Sequence, residues 1–435
     1  MYAPDGAHER QPVHEQICDL CHGVSASVVF RAAALAAYDC EGIPMLQWQH
    51  QGIDHQAAWR SESGLPAPRR VVVADDTMPA DTAYRLACAG TALLWQGDFH
   101  NARLLMDALK RRLDKPAGKH TAKARKQLRT SSQQALQTPA QAFHMHRMAQ
   151  GQRARVLGSI LIALQPDYAI ALRRAPDWRE ACTEAWGAAA ADTGVQVLTL
   201  RELLGVVGAH EWRKKGVAMP VLGKEARIHP HYGVFSPVRG EYVALVNEAP
   251  LPAVARELAF DIGTGTGVLA ALLAKRGVKR VVATDMSSRA LACAQDNIQR
   301  LGLTDKVELL QTDLFPAGQA GLVVCNPPWV PARAVTTLEQ AVYDENSTML
   351  RGFLQGVREH LLPEGEAWLI LSDLAEHLGL RSREELMGWI DAAGLYVVYR
   401  MDTAATHGKV QDTADALHAA RAAEVTSLWR LKTKA

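Results

Sequence analysis

At 435 residues the chain is longer than one typical hydrophobic core, and its length predicts two or three domains. Apolar residues make up 48% and charged residues 22%, as in a soluble globular protein, and no apolar stretch approaches the roughly 18 residues that a membrane-spanning helix needs. The seven cysteines are odd in number and scattered, which points to a reducing cytoplasm rather than to a disulfide framework. The N-terminus lacks the layout of a signal peptide, so a cytoplasmic protein is predicted, and the formal net charge is only +2.

Residues 1–113 are predicted to form a mostly helical N-terminal region. Apolar spacing there predicts three helices and one strand, namely 27–38, 81–95 and 99–113 for the helices and 70–74 for the strand. Near its start, Cys18, Cys21 and His22 match the C-x-x-C-H pattern of haem attachment. No second ligand pair accompanies them, so we interpret them as small buried thiols at a helix start rather than as a haem or zinc site.

Positive charge is concentrated between residues 103 and 155, where thirteen Lys and Arg residues face only two acids. Within this stretch, residues 114–140 are rich in Pro, Gly, Ser and Gln and are predicted to form a basic flexible linker. Such an excess of charge is typical of a segment that contacts RNA, although a solvated helix face explains it as well. The absence of aromatic residues between 107 and 140 argues against base-specific recognition.

Residues 141–224 are predicted to form a small α/β region for substrate recognition. Two apolar runs, 158–164 and 168–172, flank a Gln-Pro-Asp sequence and predict a hairpin. The pattern then predicts a helix that Asp177 caps and that runs to about residue 190, followed by a strand over 195–199 and a helix over 201–215.

The catalytic domain is predicted to occupy residues 225–435. An extended segment over 229–237 and a helix over 239–248 precede a regular alternation of strands and helices. That alternation predicts a parallel sheet with right-handed crossovers.

The first strand of that domain ends at Asp261 and leads into three alternating glycines, Gly263, Gly265 and Gly267, and then into a helix start. Alternating glycines let the backbone approach a ligand closely, and the helix N-terminus presents free N–H groups to it. A dinucleotide site uses the same kind of turn, so an NAD-dependent oxidoreductase is one interpretation.

Two further acids close the next two strands. Asp285 lies twenty residues beyond Gly265, where a carboxylate can accept both hydroxyl groups of a ribose. Asp313 ends the following strand and is succeeded by Leu314. Because the carboxyl ends of parallel strands meet at one edge of a sheet, these acids and the glycine turn are expected to lie together.

The most informative stretch is Asn326-Pro327-Pro328-Trp329, which closes an apolar strand over 321–326. Proline cannot donate to a sheet, and the residue before each proline is pushed to an extended conformation. These four residues are therefore predicted to form a stiff shelf with a carboxamide oxygen and a backbone carbonyl pointing outward beside a flat ring. This shelf suits a planar group that bears an NH₂, because the acceptors take its two protons and the ring stacks on its face.

These motifs resemble those of class I S-adenosylmethionine-dependent methyltransferases. Asp261 and the glycines are similar to motif I, Asp-x-Gly-x-Gly-x-Gly, and the shelf is similar to motif IV of the amino-group enzymes, the small-domain methyltransferases of glutamine N5 or ribosomal-RNA guanine N2. The resemblance covers about 225–435. It implies S-adenosylmethionine as the cofactor and an α/β fold, with a Rossmann-like, seven-stranded and mostly parallel sheet preceded by an α+β region.

The resemblance also implies roles for individual residues. Asp261 would lie near the ammonium group of the cofactor, Asp313 would meet its adenine amino group, and Leu314 or Phe315 would flank the adenine ring. The cofactor-binding residues implied are Phe235, Asp261, Gly263, Thr264, Gly265, Gly267, Asp285, Met286, Asp313, Leu314 and Asn326. The catalytic residues implied are Asn326, Pro327, Pro328 and Trp329.

An amide or aryl amine is a poor nucleophile because its lone pair is delocalised. Accepting both N–H protons at Asn326 Oδ1 and at the Pro327 carbonyl would localise that lone pair and aim it at the methyl group. Positioning of this kind needs neither a strong base nor a metal ion, so no metal is predicted. His231 and His407 are possible proton acceptors, for which a surface role is the simpler interpretation.

The sequence leaves the methyl acceptor open. The loop from Asp344 to Gly356 is similar to that of release-factor and ribosomal-protein glutamine methyltransferases, whereas Trp329 replaces their usual tyrosine and points to a flat base, as in ribosomal-RNA guanine enzymes. Ribosomal RNA, a ribosomal protein or a release factor is the expected partner. The alternatives are a small-molecule N-methyltransferase and a catalytically silent factor that binds RNA or the ribosome.

Overall fold

Two β-sheets organise the part of the chain that the computed structural model describes. The described residues are 44–114, 138–190, 194–336, 338–406, 410–413 and 415–434. Cys18, Cys21, His22, His407 and most of the predicted linker lie outside these ranges.

The first sheet has six strands in the order β1-β2-β6-β5-β4-β3. The strands are β1 (Met45–His50), β2 (Ile53–Trp59), β3 (Val71–Ala74), β4 (Ala92–Trp95), β5 (Ile160–Leu164) and β6 (Gln196–Thr199). Strands β3, β4 and β5 are parallel, β6 is antiparallel to β5, and the hairpin β1–β2 joins the sheet through β6. Strands from both sides of the predicted linker 114–140 therefore share one sheet. The sequence did not predict this sheet, because the pairing depends on contacts between distant residues that local sequence patterns do not reveal.

Helices pack on one face of this sheet. They are α1 (Ala80–Cys88), α2 (Phe99–Asp114), α3 (Pro139–Leu157), α4 (Arg179–Trp186) and α5 (Leu200–Lys215). The largest apolar cluster of the region joins Leu93 and Ile162 of the strands to Leu105 of α2 and Leu203 of α5. A smaller cluster, with Leu94 and neighbouring strand residues, lies on the opposite face.

Two predicted elements of this region are wrong. The predicted helix over 81–95 ends at Cys88, and its last residues, Ala92–Trp95, form the parallel strand β4 after a turn in which Gly90 has a φ of +78°. The predicted hairpin of 158–164 with 168–172 does not form, because β5 lies between β4 and β6 and has no edge left for a further partner.

The second sheet has seven strands in the order β11-β10-β9-β12-β13-β15-β14. The strands are β9 (Leu258–Ile262), β10 (Arg280–Asp285), β11 (Val307–Gln311), β12 (Ala320–Cys325), β13 (Leu361–Ser372), β14 (Leu395–Ala404) and β15 (Val425–Thr433). Strands β9 to β13 pair in parallel, and β15 is antiparallel to both of its neighbours. The expected seven-stranded, mostly parallel sheet is confirmed. A two-residue pair, β7 (Val217–Ala218) with β8 (Arg227–Ile228), precedes the sheet.

Helices cover both faces of the second sheet. They are α6 (Glu241–Glu248), α7 (Val268–Lys275), α8 (Ser288–Arg300), α9 (Thr348–Val357), α10 (Leu374–His377), α11 (Arg383–Ala392) and α12 (His418–Ala422). Separate apolar clusters form on the two faces, one around α7 and one around α9. Strand β12 is buried along its whole length, which explains its uninterrupted apolar sequence. The packing brings the carboxyl ends of β9, β10 and β12 to one edge.

Helix α3 links the two sheet regions. Its N-terminus forms a capping box, in which the Thr138 hydroxyl accepts from the Gln141 N–H and the Gln141 side chain accepts from the Thr138 N–H. One turn later, Phe143 is buried with Val330, Leu378 and Leu417 of the second region. No helix in the described part of the chain is long and apolar enough to cross a membrane.

Candidate functional site

In the glycine turn after β9, a side chain packs closely against Gly263, whereas the space beside Gly265 is open. A Cβ built on Gly263, whose φ is +70°, would lie 2.6 Å from the methyl carbon of Met349 in α9. A Cβ built on Gly265, whose φ is +55°, meets no atom within 4 Å. The positive φ favours glycine at position 263, where the Met349 side chain fills the adjacent space, whereas the space beside Gly265 is available to a ligand.

Asp261 holds this turn together from inside the domain. Its Oδ2 accepts from the Thr264 hydroxyl at 2.6 Å and from the Ala270 N–H at 3.0 Å, and the residue is only 1% exposed. Burial raises the pKa of the Asp261 carboxyl to about 6, although both hydrogen bonds favour the anion. A cation placed near this carboxyl would favour its ionised form.

Asp285 ties the end of β10 to the glycine turn. Its Oδ2 accepts from the Gly265 N–H at 3.0 Å and its Oδ1 accepts from the Ser287 N–H at 2.9 Å. Each carboxylate oxygen has a second acceptor position, so the half-buried Asp285 retains the capacity to bind hydroxyl groups. The neighbouring Met286 is 66% exposed at the same edge.

The end of β11 separates three residues that the sequence groups together. Asp313 is exposed, and Leu314 is half-buried with a φ of +61° and a carbonyl that accepts from the Thr284 hydroxyl at 2.6 Å. The ring of Phe315 instead stacks on His360, with centroids 4.5 Å apart. Leu314 and Phe315 both pack against the apolar cluster around α9, and Asp313 and Leu314 remain candidate walls of the adenine pocket.

The shelf follows β12 directly and is more enclosed than the sequence predicts. Pro327 is buried, and Asn326, Pro328 and Trp329 are half-buried. The Trp329 indole N–H donates to Asn326 Oδ1 at 2.8 Å. The guanidinium carbon of Arg239 lies 4.8 Å from the centroid of the Trp329 ring. One face of the ring predicted to be open for stacking is therefore covered by a cation.

Arg239 is anchored by two carboxylates, and neither it nor its partners were predicted from the sequence. Its Nε donates to Glu241 at 2.9 Å and its Nη2 donates to Glu424 at 3.0 Å. Glu424 is 1% exposed and also accepts from the Ser372 hydroxyl at 2.6 Å. Since Glu424 is 185 positions from Arg239, no motif spacing in the chain could have signalled the pair.

The loop after the shelf returns to the glycine turn. Val330 forms a bridge with Tyr343, and the Asp344 N–H donates to the Val330 carbonyl at 3.0 Å. The Asp344 carboxylate then accepts from the backbone N–H groups of Met349 and Leu350 at the start of α9, at 3.1 and 3.2 Å, and burial raises its pKa. Because Met349 packs on Gly263, this loop joins the two halves of the site.

Helix α3 also contacts this loop. The guanidinium carbon of Arg147 lies 4.0 Å from the Tyr343 ring centroid, and its Nη2 donates to the Arg333 carbonyl at 2.8 Å. Phe143 and Tyr343 have ring centroids 6.4 Å apart. The first sheet region thereby supports the loop that follows the shelf.

The extended segment over 229–237 lies against α8. The His229 N–H donates to Asn297 Oδ1 at 2.7 Å, and His231 Nε2 lies 3.2 Å from Asp296 Oδ2. Burial lowers the pKa of His231 below its usual value. Phe235 is half-buried in the same segment. His231 is thus partnered by an acid on a helix, which agrees with a structural role.

Metal ligands do not cluster at this edge. Over the described ranges of the chain, no three His, Cys, Asp or Glu side chains are grouped so that they could hold a metal ion. The site consists of backbone N–H groups, carboxylates, one carboxamide and an indole.

Comparison with known proteins identifies the domain that carries this site. Residues 225–388 match the family described as methyltransferase small domain. The release factor glutamine methyltransferase of Cereibacter sphaeroides is 32% identical over 149 residues, which are 31% of this chain and 51% of that protein. The ribosomal protein uL3 glutamine methyltransferase of Bordetella pertussis is 39% identical over 105 residues, which are 23% of this chain and 35% of that protein.

Among solved structures, the ribosomal protein L11 methylase of Lactobacillus delbrueckii subsp. bulgaricus is 20% identical with a TM-score of 0.34, and the match covers 50% of this chain and 91% of that one. The chain spans about half, or less, of the length of the two curated relatives. Residues 225–388, which carry the glycine turn, Asp285 and the shelf, are therefore similar to the methyltransferase small domain family, and this similarity supports S-adenosylmethionine as the cofactor.

Proposed function

We propose that the chain is an N-methyltransferase that uses S-adenosylmethionine to methylate a planar amino group in the translation apparatus, with the carboxamide of a protein glutamine as the acceptor. The observation that carries this proposal is the position of Asn326. It directly follows β12, at the same sheet edge as Asp285 and the glycine turn, so an acceptor amide and a methyl donor would meet there.

The residues at this edge fit the cofactor. The space beside Gly265 admits a ligand, and Asp285 retains acceptor positions for the two ribose hydroxyls. Gly263, Gly265, Gly267 and Asp285 would hold the cofactor, with Asp313 and Leu314 as further walls. When bound, S-adenosylmethionine supplies an electrophilic methyl group on a sulfonium ion.

The shelf residues would prepare the acceptor nitrogen. An amide oxygen accepts two hydrogen bonds, and the indole of Trp329 occupies only one position on Asn326 Oδ1. The second position, together with the Pro327 carbonyl, would accept the two N–H groups of the acceptor and localise its lone pair. Fixed dipoles and positioning can supply most of the acceleration, because they need no reorganisation during the reaction.

A glutamine fits the site better than a stacked base. Arg239 covers one face of Trp329, and the half-buried ring packs among apolar residues of the domain. A carboxamide needs only two acceptors and a narrow approach, whereas a base gains much of its affinity from a free aromatic face. Two of the relatives described above are named as glutamine methyltransferases.

A base in ribosomal RNA is the second candidate, and the charge distribution favours it. The thirteen basic residues between 103 and 155 include part of α3, which contacts the loop after the shelf. An excess of basic residues in a segment that leads into this helix suits a phosphate backbone.

One labelling experiment tests the proposal. The protein is incubated with a cell extract and S-adenosylmethionine carrying a labelled methyl group, and protein, RNA and small molecules are then separated. We expect label in the protein fraction at glutamine nitrogen, and none with Asn326→Ala. Label in RNA would transfer the proposal to the base, and label only in small molecules would overturn the assignment to the translation apparatus. Calorimetric binding of S-adenosylmethionine without label in any fraction would indicate a catalytically silent factor, and binding of NAD alone would indicate an oxidoreductase.

A further inference from the structure

The hydrogen bond between Trp329 and Asn326 determines which of two possible orientations the Asn326 carboxamide adopts. An indole N–H is only a donor, so the atom of Asn326 that lies 2.8 Å from it must be the oxygen. The terminal torsion of asparagine is broad and roughly two-fold, and the two orientations exchange the oxygen with the NH₂ group. The indole therefore selects one of them.

Trp329 is in turn held in place. Arg239 covers one face of its ring, and Glu241 and the buried Glu424 hold Arg239 at 2.9 and 3.0 Å. The ring also contacts apolar clusters on both faces of the second sheet and the cluster that contains Val330. A ring fixed on several sides cannot rotate to follow a ligand, so its N–H acts as a stationary donor.

We propose that Trp329 is a positioning residue, which sets the flip state of the Asn326 carboxamide so that its oxygen, with one acceptor position still vacant, meets the N–H group of the acceptor. The proposal rests on the proposed function, because it assumes that Asn326 receives an amino group. In the opposite flip state the NH₂ of Asn326 would face the N–H groups of the acceptor, and two donors would meet. Trp329 thus acts through Asn326 and not as a stacking platform.

The first test is spectroscopic and needs no methyl acceptor. The protein carries ten tryptophans, and the indole N–H resonance of Trp329 is assigned with ¹⁵N-labelled tryptophan and the Trp329→Phe variant. Asn326→Asp should move this resonance downfield, because a carboxylate is a stronger acceptor, and Asn326→Ala should move it upfield. The resonance of the exposed Trp212 should stay in place. An indole resonance of Trp329 that is unmoved in both variants would overturn the proposal.

The second test separates positioning from packing. Trp329→Phe keeps a ring and removes the N–H, and we expect methyl transfer into the labelled fraction to fall about tenfold, as for one lost hydrogen bond, with unchanged affinity for S-adenosylmethionine. Trp389→Phe is the matched control, because that ring is also half-buried in the second domain beneath an arginine, with Arg351 5.6 Å from its centroid. The control should keep full activity.

A double variant then asks whether Trp329 acts through Asn326. Trp329→Phe should cause no further loss in an Asn326→Asp background, since the two carboxylate oxygens are equivalent and no flip state remains to be selected. A further loss as large as in the wild type, or equal losses in Trp329→Phe and Trp389→Phe, would show that the ring only packs. If the wild type labels no fraction, the proposed function fails, and the indole resonance alone still decides whether the hydrogen bond exists.

Discussion

The two sheets place acids at the carboxyl ends of parallel strands, yet they use these acids differently. In the first sheet, Asp98 follows β4 and is 1% exposed, and its Oδ2 accepts from the Nε groups of Arg173 and Arg174 at 2.9 and 2.6 Å. In the second sheet, the carboxylate of Asp285 accepts from backbone N–H groups of Gly265 and Ser287. A carboxylate that is neutralised by arginines belongs to the structure, whereas one held only by backbone donors keeps its charge and acceptor positions for a ligand.

The same contrast applies to the two buried acids. The guanidinium of Arg174 lowers the pKa of Asp98, whereas burial without a neighbouring cation raises the pKa of Asp261. At the edge of the first sheet, the buried Asp98 is therefore neutralised by two arginines. In the glycine turn of the second sheet, the buried Asp261 is held by a hydroxyl and a backbone N–H group instead. Strand topology alone does not show which sheet edge binds a ligand. The hydrogen-bond partners of the acids at each edge make that distinction.

The largest effect on the rate of methyl transfer is expected from replacing Asn326, the carboxamide residue that follows a central strand. Asn326 follows β12, and Gln96 follows β4 in the first sheet. Asn326→Ala should lower methyl transfer about a hundredfold or more, as for the loss of a preorganised polar contact in a catalytic site, with unchanged folding and cofactor affinity. Gln96→Ala should leave the rate unchanged. Initial rates with labelled S-adenosylmethionine measure both, and an unaltered rate for Asn326→Ala would make the shelf structural.

The pH dependence of stability should have opposite signs for the two buried acids. Because the pKa of Asp261 rises from 3.8 to about 6 on folding, its protonation stabilises the fold below pH 4 and this stabilisation is lost as the pH rises through 6. The loss amounts to about 3 kcal/mol in the free energy of unfolding. Asp98, with a lowered pKa, stabilises the fold at higher pH instead.

Urea unfolding at pH 4.5 and 7 measures the contribution of Asp261, and unfolding at pH 2.5 and 4.5 measures that of Asp98, because the two carboxyls titrate in different ranges. Asp261→Asn keeps an acceptor oxygen and should gain stability relative to the wild type between pH 4.5 and 7, whereas Asp98→Asn should lose stability relative to the wild type between pH 2.5 and 4.5. Since a cation favours the Asp261 anion, S-adenosylmethionine should also bind more tightly at pH 7 than at pH 5. The same trend in both variants would remove the electrostatic contrast between the two sheets.

Replacing the two strand-end acids separates binding from structure. Asp285→Ala should weaken the binding of S-adenosylmethionine by about 1–3 kcal/mol, because buried ribose hydroxyls would lose their acceptor. Asp98→Ala should lower the Tm without changing that affinity, because it leaves two arginines without their shared partner. Isothermal titration and thermal unfolding distinguish the two outcomes. An affinity that falls equally in both variants would contradict the assignment of the ligand edge to the second sheet.

The smallest effect is expected from the basic segment that connects α2 and α3. Replacing Lys123, Arg125, Lys126 and Arg129 by Glu should lower macromolecular methylation several-fold and flatten its salt dependence, with cofactor affinity unchanged. The control variant replaces the exposed Lys275 and Lys306, near the opposite edge of the second sheet, by Glu. This variant should change neither the rate of methylation nor its salt dependence. Rates in increasing salt measure the effect. Equal salt slopes for the wild type and the four-residue variant would argue against a phosphate-bearing acceptor.

The strand-end residues of the second domain could be predicted because each follows a short apolar run with a local signature. Glycines after Asp261 and prolines after Asn326 mark their strands regardless of what lies elsewhere in the chain. The first sheet lacks such marks. Its strand β5 is inserted between β4 and β6, and only the folded chain shows why the residues after it form no hairpin.

The enclosure of the shelf could not be predicted for a different reason. The Arg239–Glu424 ion pair spans 185 positions, and the Trp329–Asn326 hydrogen bond depends on side-chain rotamers. Sequence patterns identify the residue types at a site, but they do not reveal which acceptor positions neighbouring side chains already occupy. The open ring expected for Trp329 is the point where this matters, because Arg239 covers one of its faces.

The contact of α3 with the second region bears on how this protein can be divided. Phe143 is buried against Val330, the residue directly after the shelf, and Arg147 lies over Tyr343 in the returning loop. A fragment cut at residue 225 would expose this apolar patch and remove the support of the loop that carries Asp344. The methyltransferase domain therefore depends on its contact with α3, and a truncated or grafted version of the domain must include α3 or a replacement for it.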